Sequence, residues 1–313
     1  MLVVFIFVFL SFIFLYKFLT AYGEILAKQL ASLGAKLIIS ARNEVELNRV
    51  RTQLKGKHAP DEVKILPLDL SSGEDSLWIA VEKAESFFPD SGVDYMIHNA
   101  AFERPGMCVC LFRWFYEFRN ISSAEIPTSK KTSILDVTEE GLKATFDVNV
   151  LGTITLTKLL APFMLKRGHG HFVMSSAAAK APAPGQAVYS ASKYAVNGYF
   201  HTLRSELCQK GIQVTVICPG PIATSNNAGS RVPSEKRVPS ERCAELTIIA
   251  VTHGLKEAWI SYQPVLTVMY LVQYMPTIGY WVMDKIGKSR VEAAEQKGNT
   301  YSLSLMLGKK KAT

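Results

Sequence analysis

Tyr189 and Lys193 stand four residues apart in Tyr189-Ser-Ala-Ser-Lys193, a spacing that puts both on one face of a helix. A lone tyrosine, with an ordinary pKa of about 10, is a poor acid or base at neutral pH. A neighbouring ammonium favours the phenolate and brings proton transfer within reach. Just upstream, Ser175-Ser176 ends a short apolar run, and Ala181-Pro-Ala-Pro-Gly-Gln-Ala187 supplies a loop able to shape a pocket. Twelve tyrosines in a chain rich in lysine give roughly one Tyr-x-x-x-Lys by chance, so the pair takes its meaning from the elements around it.

Those elements alternate. Ile25, Leu26, Leu30 and Leu33 form one helical stripe stopped by Gly34, and Lys36 to Ser40 read as a short buried strand ending in Ser40-Ala-Arg42. A helix, a glycine and such a strand make the second half of a βαβ unit. In a nucleotide-binding fold the end of that strand meets the adenosine ribose. Arg42 with Ser40 suits a 2′-phosphate, where a carboxylate would suit a free hydroxyl, so NADP(H) is favoured over NAD(H). Further along, Glu44 to Leu54 is a helix and Val63 to Asp69 a strand whose terminal Asp69 could accept from an adenine amino group. Ser72 to Phe88 is again a helix, and Val93 to Asn99 a strand running into Asn99-Ala-Ala101. Order continues from Thr138 through a long apolar helix that carries Asn149. That amide either bonds a neighbouring carbonyl and kinks the helix, or holds water. His171 to Met174 is the strand that delivers Ser176. The alternation predicts an α/β fold, a doubly wound, Rossmann-like parallel sheet covered on both faces, in a single domain.

The 313 residues, 48% hydrophobic, suffice for one large α/β core. A net charge of +8 is scattered along the chain with no basic stripe interleaved with aromatics. It is read as attraction to an anionic membrane surface and not to nucleic acid. The five cysteines are odd in number and lack paired metal-ligand spacing, which favours reduced thiols and no metal site. Residues 1–19 are apolar apart from Ser11 and Lys17. They are just long enough for a membrane anchor, and the positive charges that follow put the body of the protein on the cytosolic side.

Between Phe102 and Lys131 the alternation breaks into an aromatic and sulfur-rich run followed by a polar one, a lid or a segment foreign to the fold. Ala223 to Arg242 is polar, with Val-Pro-Ser-Glu occurring twice. Tyr262 to Met283 is rich in Tyr, Met, Leu and Val but interrupted by Pro264, Gln273 and Pro276. It reads as a membrane-surface or pocket-mouth segment, or as a helix pair in the core or at the interface of a homodimer.

Taken in order, Asn99-Ala-Ala101, Asn149, Ser176, Tyr189-Ser-Ala-Ser-Lys193 and Pro219-Gly-Pro-Ile-Ala-Thr224 resemble the short-chain dehydrogenases/reductases over about Tyr22 to Ile260. The tail, from Leu255 to Pro264 and around Gln273-Tyr-Met-Pro276, is similar to the membrane-bound "member seven" group of that family. The resemblance implies a catalytic set of Asn149, Ser176, Tyr189 and Lys193. Tyr189 would exchange a proton with the substrate oxygen, and Lys193 would bond the nicotinamide ribose and tune the phenol. Ser176 would orient the same oxygen, and Asn149 would anchor a relay water. It further implies a cofactor set in which Asp69 and Asn99 flank the adenosine, beside Ser40 and Arg42, while Tyr189 and Lys193 also contact the cofactor and Pro219, Gly220, Ile222 and Thr224 hold the carboxamide end. Gly23 matches the last glycine of the family's Thr-Gly-x-x-x-Gly-x-Gly loop.

Two departures accompany the resemblance. Only Thr20-Ala-Tyr-Gly23 stands before the first helix, so the glycine loop is truncated. The first strand is missing with it, unless part of the N-terminal apolar run pairs in its place. Residues 103–130 also exceed the usual family connection. The expected organisation is an anchor at 1–19, an oxidoreductase domain at 20–258 and an apolar, membrane-associated tail at 259–313. The tail's Lys309-Lys310-Lys311 resembles a dilysine signal for the endoplasmic reticulum. The expected function is NADP(H)-dependent interconversion of a carbonyl and an alcohol on a lipophilic substrate such as a steroid, retinoid or other lipid. The alternative is a membrane protein of the same fold that is catalytically impaired by the loss of its cofactor loop.

Overall fold

A computed structural model describes residues 3–7, 17–101, 137–175, 179–182, 186–223 and 237–296. In chain order the strands are β1 (Val3–Phe7), β2 (Lys36–Ala41), β3 (Lys64–Pro67), β4 (Tyr95–His98), β5 (Gly170–Ser175), β6 (Ile212–Pro219), β7 (Ile222–Ala223), β8 (Val238–Pro239) and β9 (Glu257–Ile260). The helices are α1 (Lys17–Ser32), α2 (Glu44–Gln53), α3 (Glu74–Ser86), α4 (Glu139–Arg167), α5 (Ala187–Leu207), α6 (Ser240–Thr252), α7 (Val265–Tyr274) and α8 (Pro276–Gln296). Seven strands pair in parallel in the order β3-β2-β1-β4-β5-β6-β9. This is the doubly wound sheet that the alternation predicts.

The strands are mostly apolar because both faces of the sheet are covered. Ile38, Leu66, Met96, Phe172, Met174 and Val216 pack beneath α3, α4 and α5. Their strand neighbours Leu37, Ile39, Ile97, Val173 and Ile217 pack on the other face with α1, α2 and α6. Successive residues thus feed two cores, as the two-residue period of a strand requires. Helix ends follow local chemistry. The Asn43 side chain accepts from the amides of Val45 and Glu46 at the start of α2, and Gly34 and Gly168 take positive φ where α1 and α4 end.

The first strand is present. Val3–Phe7 pairs with Lys36–Ser40 on one side, and Val4–Phe7 pairs with Tyr95–His98 on the other. An apolar run suits the middle of a parallel sheet as well as it suits lipid. Residues 3–7 hydrogen-bond to two strands and so cannot form part of a spanning helix. This corrects the expected anchor at 1–19, which loses these residues to the sheet and Lys17 onward to α1. The apolar residues between them, and the expected insert at 103–130, lie outside the described residues. Among the described residues one helix, α4, is long and apolar enough to cross a membrane. Its Leu156, Leu160 and Met164 are buried in the core. The last strand, β9, reaches Ile260, just beyond the expected boundary at 258.

At its centre α4 widens into a π turn, Asp147–Gly152. There the backbone runs so close to the turn after β3 that a Cβ on Gly152 would lie 2.2 Å from the Leu70 carbonyl oxygen. Gly152→Ala is therefore expected to cost about 2 to 3 kcal/mol, read as a lower urea midpoint at unchanged slope. A variant as stable as the parent would contradict the close approach.

Candidate active site

The parallel order brings every strand's carboxyl end to one edge of the sheet. Phe7 lies opposite both Ser40 and His98, and Met174 lies between His98 and Val216. The sheet reverses winding direction about β1, and this is where open α/β sheets bind ligands.

Tyr189 sits half-buried in the first turn of α5, and Lys193, one turn on, is buried. The Lys193 ammonium lies 5.6 Å from the centroid of the Tyr189 ring. Asn149, in the π turn, is 1% exposed, and its Nδ2 donates to Ser192 Oγ at 3.0 Å. Ser192 in turn donates to the Tyr189 carbonyl at 2.7 Å. The helical amide thus ties its own helix to the one carrying Tyr189 and Lys193. Ser192 was not among the expected site residues. Its signal was available in a serine three positions after Tyr189, placed to bond back to that carbonyl. Ser176 and Thr224 lie outside the described residues.

Beneath the site, His98 Nε2 meets Thr157 Oγ1 at 2.9 Å, and the Thr157 hydroxyl donates to the Thr153 carbonyl at 2.8 Å. The single hydroxyl hydrogen is used there, so the ring is the donor at Nε2. Burial, with a smaller push from the Lys193 charge, lowers the His98 pKa to about 3. His171 repeats the pattern at the start of β5. Its Nε2 meets Thr215 Oγ1 at 2.8 Å, Thr215 donates to Leu255, and burial lowers the pKa to about 4.

At the other end of the cleft, an Arg42 guanidinium nitrogen lies 3.7 Å from the Asp69 carboxylate. Asp69 also accepts from the Ser71 amide and hydroxyl. Ser40 departs from expectation. It is fully buried and its hydroxyl donates to the Leu66 carbonyl at 2.6 Å, so it serves the sheet and only Arg42 of that pair reaches the surface. Asn99 is buried directly after β4. Gly23 also departs. It was expected just ahead of the first helix, but α1 begins at Lys17 and encloses it. No glycine or proline between Lys17 and Gly23 stops the helix from growing toward the N-terminus. The amides near Gly23 therefore bond within α1, and the free amides of a helix start lie about 9 Å away along the axis.

Among the residues expected at the carboxamide end, Pro219 ends β6, and the Gly220 amide donates to the Ile260 carbonyl at 2.8 Å. A Cβ on Gly220 would stand 2.2 Å from Ser261 Oγ, so the close crossing requires glycine. Ile222 lies in β7, which pairs with β8, and Ser240 Oγ bonds the Ala223 carbonyl at 2.5 Å. These contacts hold together the two ends of the polar segment from Ala223 to Arg242.

The family model for short chain dehydrogenases matches residues 20–234. The chain belongs to the short-chain dehydrogenases. It is similar to the human "Dehydrogenase/reductase SDR family member 7", with 31% identity over 285 residues covering 86% of this chain and 76% of the relative. Similarity to the Drosophila melanogaster "Dehydrogenase/reductase SDR family protein 7-like" is 27% over 289 residues, covering 88% and 79%. Among solved structures, a Streptomyces avermitilis short-chain dehydrogenase superposes with a TM-score of 0.65 at 16% identity, covering 95% of this chain and 98% of that one. A metagenomic short-chain oxidoreductase in complex with NADP gives 0.60 at 19% identity, covering 84% and 98%. These two show the fold. Short-chain dehydrogenases are oxidoreductases that use NAD(P), and the chain shares that general character.

The buried histidines make a measurable demand. Free imidazole titrates near pH 6.5, against about 3 for His98 and about 4 for His171 in the folded chain. Unfolding below about pH 6.5 therefore takes up protons, so stability is full above that value and is lost as pH falls toward 4. The urea midpoint is expected to drop between about pH 7 and 4.5, and to drop less in His98→Gln. An equally steep drop in that variant would contradict the neutral, buried ring.

Proposed function

We propose that this short-chain dehydrogenase is an NADP(H)-dependent oxidoreductase interconverting a carbonyl and a primary or secondary alcohol on a lipophilic substrate such as a steroid, retinoid or other lipid. The observation that carries the reading is the Lys193 ammonium beside the Tyr189 ring, on a helix anchored by Asn149 through Ser192. Bound NADP(H) would supply or accept the hydride. The Tyr189 hydroxyl gives a proton to the carbonyl oxygen in reduction and takes one from the alcohol in oxidation. Lys193 favours the phenolate by its charge. Ser176, the residue after β5 in sequence, would orient and stabilise the same oxygen. Asn149 holds the start of α5 in place and leads toward solvent as part of a proton relay.

The described residues fit a dinucleotide at its two ends. Arg42, partly exposed beside Asp69, suits a 2′-phosphate, with Asp69 and Asn99 along the adenosine. Pro219, Gly220 and Ile222 suit the carboxamide end, and Thr224, outside the described residues, would join them. In the middle, Gly23 inside α1 does not form the cradle that a pyrophosphate needs at a helix start. That one observation favours the second reading, a catalytically impaired member of the family. A lipophilic substrate is supported by the exposed Tyr262, Tyr270, Tyr274 and Trp281 on and beside α7 and α8. In this reading the protein works at the endoplasmic reticulum membrane with its domain on the cytosolic side.

NADPH consumption by the full chain with apolar ketones and aldehydes tests the proposal. Tyr189→Phe is expected to lower kcat by about 100-fold or more while leaving cofactor affinity unchanged. A variant as active as the parent overturns the mechanism, and a folded parent that consumes no NADPH establishes the impaired reading.

A further inference from the structure

Beyond the site, one carboxylate reaches both segments that carry it. Glu257 opens β9. Its Oε1 lies 3.0 Å from Lys180 Nζ and accepts from the Trp259 indole, and its Oε2 lies 2.8 Å from His201 Nε2. Lys180 follows Ser176 by four residues on the stretch leaving β5, and His201 lies on α5 twelve residues after Tyr189. The contact is sheltered. The side chains of Lys180 and Glu257 are 8% and 22% exposed, and the Lys180 ammonium also sits 5.6 Å from the Trp259 ring centroid. His201 is oriented from behind, because its Nδ1 accepts from Arg204 at 2.9 Å. The ring hydrogen is therefore on Nε2, aimed at Glu257. Burial alone would raise the Glu257 pKa, but hydrogen bonds from His201, Trp259 and Lys180 bring it down to about 2, so the carboxylate stays charged. A sheltered ion pair adds little stability over an apolar replacement of the same shape, yet it tolerates few geometries.

We propose that Glu257 is a positioning residue for the reaction proposed above, holding the segment that follows Ser176 and the helix that carries Tyr189 and Lys193 in one fixed relation. It touches neither substrate nor cofactor. Its two oxygens tie Lys180, on the stretch after β5, to His201 on the helix of the proton-transferring tyrosine, and groups that act on one substrate oxygen depend on such fixed placement.

The test is Glu257→Gln in the full chain, read by amide hydrogen exchange and by kinetics. Exchange is expected to rise about tenfold in residues 170–182 and 187–207, with residues 36–54 unchanged. In an active parent, kcat is expected to fall about tenfold with KM within about twofold, and Glu257→Asp to recover most of it. Should Glu257→Gln not fold, the arms are cut singly. Lys180→Met should loosen only 170–182, and His201→Gln only 187–207. Unchanged exchange in both segments, a rise spread evenly over the domain, or loosening without loss of kcat overturns the role. Exchange is measured whether or not the chain turns over, so an inactive parent would count against the proposed reaction and leave this inference to be decided by the exchange data.

Discussion

The parallel pairing of Val3–Phe7 with β2 and with β4 is the contact on which the rest depends. Without it β3 and β2 form one ribbon and β4, β5, β6 and β9 another, and neither edge has a partner. Unpaired strand edges buried among helices leave backbone donors and acceptors unsatisfied, which a folded core does not tolerate. With β1 in place, the ends of β2 and β4 lie on either side of Phe7, and Arg42, Asn99 and the segment after β5 are gathered at one edge. The same apolar chemistry that would let this run enter a bilayer lets it occupy an interior strand of the sheet.

Two helices then convert that edge into a site. α4 brings Asn149 in on a π turn that fits only because Gly152 lies against Leu70, and α5 brings Tyr189 and Lys193. The link between them is a pair of hydrogen bonds through Ser192. Since buried polar groups must be paired, Asn149 and Ser192 specify how the helices dock as well as how the tyrosine is held. Glu257 repeats the device farther along α5. At the phosphate end the opposite holds. Lys17 to Tyr22 extend α1 in place of a loop, and the helix uses internally the amides that would otherwise face an anion.

Much of this was legible in the sequence. The strands could be read because a parallel sheet buries both faces and makes them mostly apolar, and the helices because Leu26 and Leu30 on α1, and Leu47 and Val50 on α2, recur at helical spacing. Tyr189 and Lys193 were readable from a four-residue interval. The first strand was not, because an apolar run near the length of a span satisfies the hydropathy of lipid and of a central strand alike, and only its pairing partners distinguish them. The start of α1 was missed because no capping residue or breaker marks it. Ser40 looked free at a strand end, but its hydroxyl had a carbonyl within reach on β3. The Glu257 contacts were invisible since Lys180, His201 and Glu257 are remote in sequence and nothing in their spacing pairs them.

The central claim is that a chain whose nicotinamide end is built and whose phosphate end is altered still binds NADP(H). Titrating the full chain with NADPH and with NADH, following the nicotinamide fluorescence, tests it most directly. Saturable binding of NADPH with a Kd below about 1 mM, tighter than that of NADH, is the expected result. No saturation by either nucleotide at that concentration, with the chain folded, would contradict it.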